Sequence, residues 1–280
     1  MDISKLKDCK FANEDECTEA LKALYAEDVK EYVRQCGSSA QFAFSENNQL
    51  KFLKECLEPA ANIEDDFFED LWAAREIYRS KVKHVYDIGS RTNSFIAHLL
   101  AMEVRVTMLD IRPFDCNIEG IDYIRTDAMD MGNIPDNSIE TLTALCSLEH
   151  FGLGRYSDPI DYNGWKKALH AIKRKLKPGG TFYMSVPVGE ERVRFHAYRV
   201  FHPMTIVNEV APDLILQEFS FVDLPNSRIE TCVKDGNIVT DPDLRGQNDV
   251  ADYHTVLDAV TKDKLGSWRT GLFVFKKVFL

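Results

Sequence analysis

Before residue 82 the apolar positions recur at helical spacing. In LKALYAEDVKEYVRQ (21–35), Leu21, Leu24, Tyr25, Val29, Tyr32 and Val33 fall on one stripe, and Gly37 supplies a stop. NQLKFLKECLEP (48–59) reads as a second helix ended by Pro59, and DDFFEDLWAAREIYRSK (65–81) as a third. Acids crowd the first turn of the third, where the helix dipole favours them. These patterns place an N-terminal helical extension over 1–80, followed by the main domain at 81–280.

From residue 82 the period changes to alternating strands and helices. Strands are expected at 83–88, 104–109, 121–125, 139–145 and 181–186, with helices at 92–102, 128–132 and 162–176. That alternation implies parallel strands with helical crossovers, hence an α/β doubly wound sheet. A helix near 203–211, a strand at 214–222 and a last strand at 271–279 follow. The stretch 223–250 is rich in Asp, Asn, Gly and Pro and reads as loop, part of an insertion around 223–268. The two late strands suggest an antiparallel pair at the sheet edge.

Composition narrows the function classes. The 280 residues are 45% apolar and 28% charged, as in an ordinary globular protein. A net charge of −11 argues against nucleic acid or an anionic membrane as partner. The seven cysteines (9, 17, 36, 56, 116, 146 and 232) include no Cys-x-x-Cys pair, the pattern of a reduced, cytoplasmic protein. The first twenty residues carry no apolar h-region, and no stretch nears the roughly 20 apolar residues of a membrane span.

In an open α/β sheet, ligands bind beyond the carboxyl ends of the strands. Five expected strand ends carry polar or small residues: Asp87-Ile88-Gly89-Ser90-Arg91-Thr92-Asn93, Asp110-Ile111-Arg112, Asp127-Ala128-Met129, Ser147-Leu148-Glu149-His150 and Pro187-Val188-Gly189. Asp110 lies 23 residues after Asp87, close to the spacing of about 20 at which an acid meets both hydroxyls of a ribose. Asp127 is placed to accept from an adenine amine, with Ala128 and Met129 as flat apolar neighbours. Capping of the following turn is the bland alternative for both acids.

VYDIGSRTN (85–93), VTMLD (106–110), IRTDAMDMGNIPDNSIETLTALCSLEH (124–150) and LKPGGTFYMSVPVG (176–189) together resemble the class I S-adenosylmethionine-dependent methyltransferases. The resemblance spans roughly 82–190. It implies a Rossmann-like seven-stranded sheet with the last strand antiparallel, and S-adenosyl-L-methionine as cofactor. By resemblance Asp87, Gly89, Ser90 and Asn93 form the methionine-side turn, Asp110 and Ile111 hold the ribose, Asp127 and Ala128 flank adenine, and Ser147 closes the fourth-strand end. FGLGRYSDPIDYNGW (151–165) adds a likeness to bacterial methyltransferase-like proteins of uncharacterised function, some associated with surface-polysaccharide biosynthesis.

The first motif departs from the family. Arg91 and Asn93 stand where glycines are usual, and Asn is the substitute that best tolerates left-handed backbone. Arg91 is either a solvated turn residue or a partner for an acidic group. On the acceptor side His150 is placed as a general base with Glu149 to orient it, and His196 is a second candidate. Arg155 and Tyr156, in the glycine-hinged stretch GLGRYSDP (152–159), are candidates for holding an anionic or sugar group. Arg192, Arg194 and Arg199 add local positive charge. Asp158 and Asp161 lack companions at ligand spacing, so no metal is assigned.

The expected function is methyl transfer to a small-molecule or glycan acceptor, at oxygen. A catalytically inactive cofactor-binding module within a complex and a nicotinamide-dependent oxidoreductase are the alternatives. The N-terminal helices are read as a lid or as a homodimer contact.

Overall fold

The computed structural model describes residues 14–36, 44–45, 63–89, 91–92, 94–115, 117–239, 250–263 and 268–279. The chain divides into two compact units, Met1–Ile63 and Glu64–Leu280. In the first, α1 spans Glu14–Cys36. The helix expected at 48–59 lies outside the described residues.

The second unit opens with α2 (Asp65–Ser80), which the apolar spacing alone assigned to the extension. Its long-range contacts put it in the larger unit. The Trp72 indole donates to Glu218 Oε1 at 3.0 Å, its ring meets Tyr183 edge-on, and Thr270 Oγ1 donates to Asp65 Oδ2 at 2.6 Å. The boundary therefore falls near residue 63.

Strands and helices then alternate: β1 (His84–Ile88), α3 (Phe95–Ala101), β2 (Arg105–Asp110), β3 (Ile121–Arg125), β4 (Ile139–Leu145), α4 (Gly164–Lys175) and β5 (Leu176–Val188). There is no helix at 128–132; that segment is a turn. A short hairpin follows, β6 (Arg192–Arg194) and β7 (Tyr198–Val200), then α5 (Pro203–Val210), β8 (Leu214–Asp223), β9 (Arg228–Lys234), β10 (Asn237–Ile238), α6 (Val250–Asp263) and β11 (Arg269–Lys277).

The main sheet runs β10-β9-β8-β11-β5-β4-β1-β2-β3. β1 pairs in parallel with β2 and β4, β2 with β3, and β4 with β5, whereas β11 lies antiparallel between β5 and β8. The sheet is thus mixed and has nine strands among the described residues where seven were expected. The two extra strands come from the polar stretch read as loop. Asp235 and Gly236 both take positive φ, 52° and 72°, and turn β9 into β10 as a two-residue hairpin. Likewise α6 is no surface insertion: Tyr253, Val256, Leu257 and Val260 join the main core.

One face of the sheet packs against α2 and α3 through Trp72, Ile77, Phe95, Ile96 and Leu99. The other packs against α4, α5 and α6 through Leu169, Ile172, Val207 and Leu257. LKPGG is the irregular start of β5 rather than a separate turn: Ile139 pairs with Leu176, but Thr141 already pairs with Thr181. Only glycine fits at 180, since a Cβ there would lie 2.9–3.2 Å from three backbone carbonyl oxygens.

Sheet order reverses between β1 and β4, because β2 and β3 extend to one side and β5 to the other. A crevice opens beyond the carboxyl ends of the strands at such a switch point.

Candidate functional site

A cleft of about 410 Å³ sits at that crevice, within the size range of small-molecule sites. Gly89, Asp110, Ile111, Asp127, Ala128 and Ser147 line it from the ends of four strands. His150, Arg155 and Tyr156 line it from the segment after β4. Ser90 and Asn93 lie outside the described residues. A smaller cavity of about 160 Å³ adjoins, sharing Gly89, Arg91 and Cys146, and is walled by Asp87, Asp66, Glu69 and Asp70.

The turn after β1 is held open by glycine. Gly89 has φ +71°, and a Cβ there would come 2.8 Å from the Ser147 Cβ. Its N–H donates to Leu109 O at 3.0 Å, tying the turn to β2. Asp87 is buried and accepts from the Thr143 hydroxyl, which fixes the carboxylate facing the smaller cavity. Arg91 turns to α2 and pairs with Asp66 at 2.9 Å, both side chains largely exposed.

At the end of β2, Asp110 accepts from the Arg112 N–H at 2.8 Å, from Arg112 Nε at 3.0 Å and from Nη2 at 2.6 Å. Burial pushes this carboxyl up, but the Arg112 bonds outweigh it and hold it below the usual carboxylate range. Asp127 Oδ1 accepts from Met129 N–H at 2.8 Å, so the capping reading holds for that oxygen. The carboxylate nonetheless lines the cleft beside buried Ala128.

Beyond β4 the geometry departs from expectation. His150 Nδ1 lies 2.6 Å from Ala197 O, and Nε2 faces Glu149 Oε1 at 3.4 Å. Both ring nitrogens therefore face protein groups, and burial pushes the imidazole down to about 4. Glu149 is fully enclosed; burial pushes its carboxyl up to about 8, and Oε2 has no hydrogen-bond partner. Glu69 from α2 accepts from the Ser185 hydroxyl and is likewise raised by burial to about 8. Between these carboxyls lies Cys146, whose thiol is pushed up by burial and by both acids. His196 is not at the cleft. It sits at the exposed tip of the β6–β7 hairpin, its ring against Phe195.

Residues 151–158 form a loop organised by one carboxylate. Asp158 accepts from the backbone N–H groups of Gly152, Gly154 and Tyr156 at 2.7, 3.3 and 3.2 Å. Gly152 and Gly154 take φ near +75°, which lets those N–H groups converge. The loop presents Tyr156 to the cleft with two guanidinium groups over its ring, Arg112 at 4.7 Å and Arg155 at 5.2 Å. Arg199 is a strap rather than a site residue, donating to the carbonyls of Phe151, Glu149 and Tyr162. Sequence reasoning gave no role to Arg112 or to Asp158 in the site. Arg112 carried one signal, its position two residues after the strand-end acid.

An adenosyl ligand can be tested against these residues directly. Ser147 Oγ is buried at the cleft without a partner, an atom that a ligand would satisfy. The glycine turn leaves the backbone open, and an anionic carboxylate stands where a diol would need it. Those residues fit the group. Among the described residues no cluster of three or more His, Cys, Asp or Glu is arranged to hold a metal ion. No described helix is long and apolar enough to cross a membrane.

A family model described as Caenorhabditis protein of unknown function, DUF268, matches residues 102–232, from the approach to β2 into β9. No curated protein matches the chain. Among solved structures, the [4+2]-cyclase SpnF is similar at a TM-score of 0.50 with 15% identity, over 75% of this chain and 82% of that one. The 1,6-didemethyltoxoflavin-N1-methyltransferase of Burkholderia thailandensis, bound to 1,6-didemethyltoxoflavin and S-adenosylhomocysteine, gives 0.48 and 12% over 97% and 93%. The N-methyltransferase NodS of Bradyrhizobium japonicum, with S-adenosylhomocysteine, gives 0.45 and 13% over 74% and 85%. At such identities the likeness concerns the fold, and a cyclase among the neighbours means the reaction must be argued from the site.

Proposed function

We propose that the protein is an S-adenosylmethionine-dependent methyltransferase acting on a small molecule or glycan, at oxygen. One observation carries the reading. Gly89, Asp110, Asp127 and the unpartnered Ser147 hydroxyl, from four separate strand ends, line a single cleft at the switch point. When bound, S-adenosyl-L-methionine supplies an electrophilic methyl on a sulfonium. Asp110 would take the ribose hydroxyls, Asp127 Oδ2 the adenine amine, and Asp87 the methionine side across the Gly89 turn. Arg155 and Tyr156 would hold the acceptor, which makes alignment the main catalytic contribution of the chain.

His150 acts here as a positioning residue. With Nδ1 donating to Ala197 O it fixes the wall of the cleft, and burial leaves Nε2 a weak base for the acceptor's proton. A hydroxyl acceptor must then be one that ionises readily. The same observation favours a second reading, a cofactor-binding module without turnover.

Thermal shift separates the cofactor classes. S-adenosylhomocysteine should raise the melting temperature, while NAD should leave it unchanged. A shift with NAD alone would overturn the reading. Asp110→Ala should weaken S-adenosylhomocysteine binding by about 1–3 kcal/mol through lost charge-assisted hydrogen bonds. Unaltered affinity in a calorimetric titration would remove Asp110 from the ribose site.

A further inference from the structure

Arg112 has two attachments in different halves of the cleft. Its guanidinium holds both oxygens of Asp110, and the same group lies over the Tyr156 ring of the 151–158 loop. A carboxylate offers about four lone-pair sites. Three of those on Asp110 are taken, by the Arg112 N–H, Nε and Nη2. A ribose diol needs two, so at least one guanidinium bond must break before the diol can be held. The backbone N–H bond would survive, because it is built into the turn after β2.

The released group has a destination. Arg155, also over Tyr156, makes no ion pair with a carboxylate among the described residues; its Nη1 lies 3.2 Å from His150 Nδ1 and 3.4 Å from Ala197 O. The acid on this side, Asp158, spends its charge on three backbone N–H groups. Freeing Arg112 from Asp110 would thus leave two uncompensated guanidinium groups over one aromatic ring at the acceptor side, in a chain whose net charge is −11. Guanidinium groups in that arrangement recognise oxyanions.

We propose that Arg112 is a movable counter-ion: it pairs with Asp110, yields that carboxylate to a ribose diol, and then joins Arg155 over Tyr156 to bind an acceptor bearing an oxyanion, a carboxylate or a phosphate. Cofactor arrival and acceptor recognition are coupled through this one side chain, each favouring the other. The inference rests on the adenosyl reading of the cleft and adds to it the charge class of the acceptor and its coupling to the cofactor.

Calorimetric titration of the full chain with S-adenosylhomocysteine tests it, at constant ionic strength, with and without millimolar inorganic phosphate or acetate as oxyanion probes. Arg112→Ala should bind S-adenosylhomocysteine about three- to tenfold more tightly than wild type, since the competitor for Asp110 is gone. Arg112→Lys, which keeps charge but loses the bidentate fork, should fall between. Phosphate or acetate should tighten wild-type binding by about two- to fivefold by capturing the freed guanidinium, and the one with the larger effect identifies the oxyanion. That tightening should vanish in Arg112→Ala. Weaker or equal binding in a folded Arg112→Ala overturns the counter-ion role. No tightening of wild type by either anion, or tightening that persists in Arg112→Ala, overturns the acceptor assignment. A folded wild type that fails to bind S-adenosylhomocysteine overturns the adenosyl reading itself, and this proposal with it.

Discussion

The two halves of the cleft are built differently. The half proposed to take ribose and adenine stands on strand ends, with Asp110 at the last residue of β2 and Asp127 two residues beyond β3. Its side chains are aimed by the sheet register, and their hydrogen bonds are local: Asp110 to residue 112, Asp127 to residue 129. The half proposed for the acceptor hangs on long-range contacts. His150 is set by Ala197 of the hairpin, Arg199 straps carbonyls from 149 to 162, and Tyr156 is reached by Arg112 from the turn after β2. A locally encoded half thus faces one assembled from distant loops. That is the division expected where a common ligand meets a variable one.

The largest expected effect lies on the locally encoded half. Gly89→Val adds a side chain at φ +71° where even a Cβ meets Ser147 at 2.8 Å. S-adenosylhomocysteine affinity should fall on the order of 100-fold, measured on protein shown to be folded by circular dichroism. Affinity within a few-fold of wild type would mean that the turn can yield, and the contrast between the halves would blur.

An intermediate effect probes the wall between the two cavities. Glu69 and Glu149 would ionise near 4.3 in the unfolded chain but hold their protons to about 8 when folded, because burial disfavours the charge. Between those values the folded protein binds more protons than the unfolded one, so stability falls as pH rises. The melting temperature should drop by several degrees between about pH 5 and pH 8. Glu69→Gln combined with Glu149→Gln should flatten that decline. A melting temperature that climbs over the same range would place charged, compensated carboxylates there instead.

The smallest effect is expected at Arg91. Its pair with Asp66 is exposed, with side-chain exposures of 73% and 59%, so Arg91→Ala should cost no more than about 0.5 kcal/mol. S-adenosylhomocysteine affinity should stay within about twofold of wild type. A larger loss would make Arg91 a ligand contact and move it from scaffold to site.

The strand-end acids and the glycine turn that line the cleft are legible in the sequence because their information is local. A carboxylate ending an apolar run, and a glycine turn after another, are patterns of a few residues. Arg91 meets an acid on α2, 25 residues upstream in the chain, a partner that no local pattern names. The sheet edge was legible in principle, since Asp235-Gly236 is a hairpin signal, but the polar texture around it masked strands in which few positions are fully buried. α6 was hidden likewise, its apolar positions lying within a stretch read as insertion.

Chain-local pattern set the alternation of strands and helices and put acids and a glycine at the strand ends. The surroundings of those groups came only with folding. It buried Glu69 and Glu149 on either side of Cys146, turned both nitrogens of His150 onto protein atoms, left His196 on a hairpin tip, and brought Arg112 onto Asp110 and Tyr156 together. The reason is physical. Strand and helix periodicity is set by neighbours along the chain, whereas protonation and ion pairing depend on burial and on charges that only folding brings near.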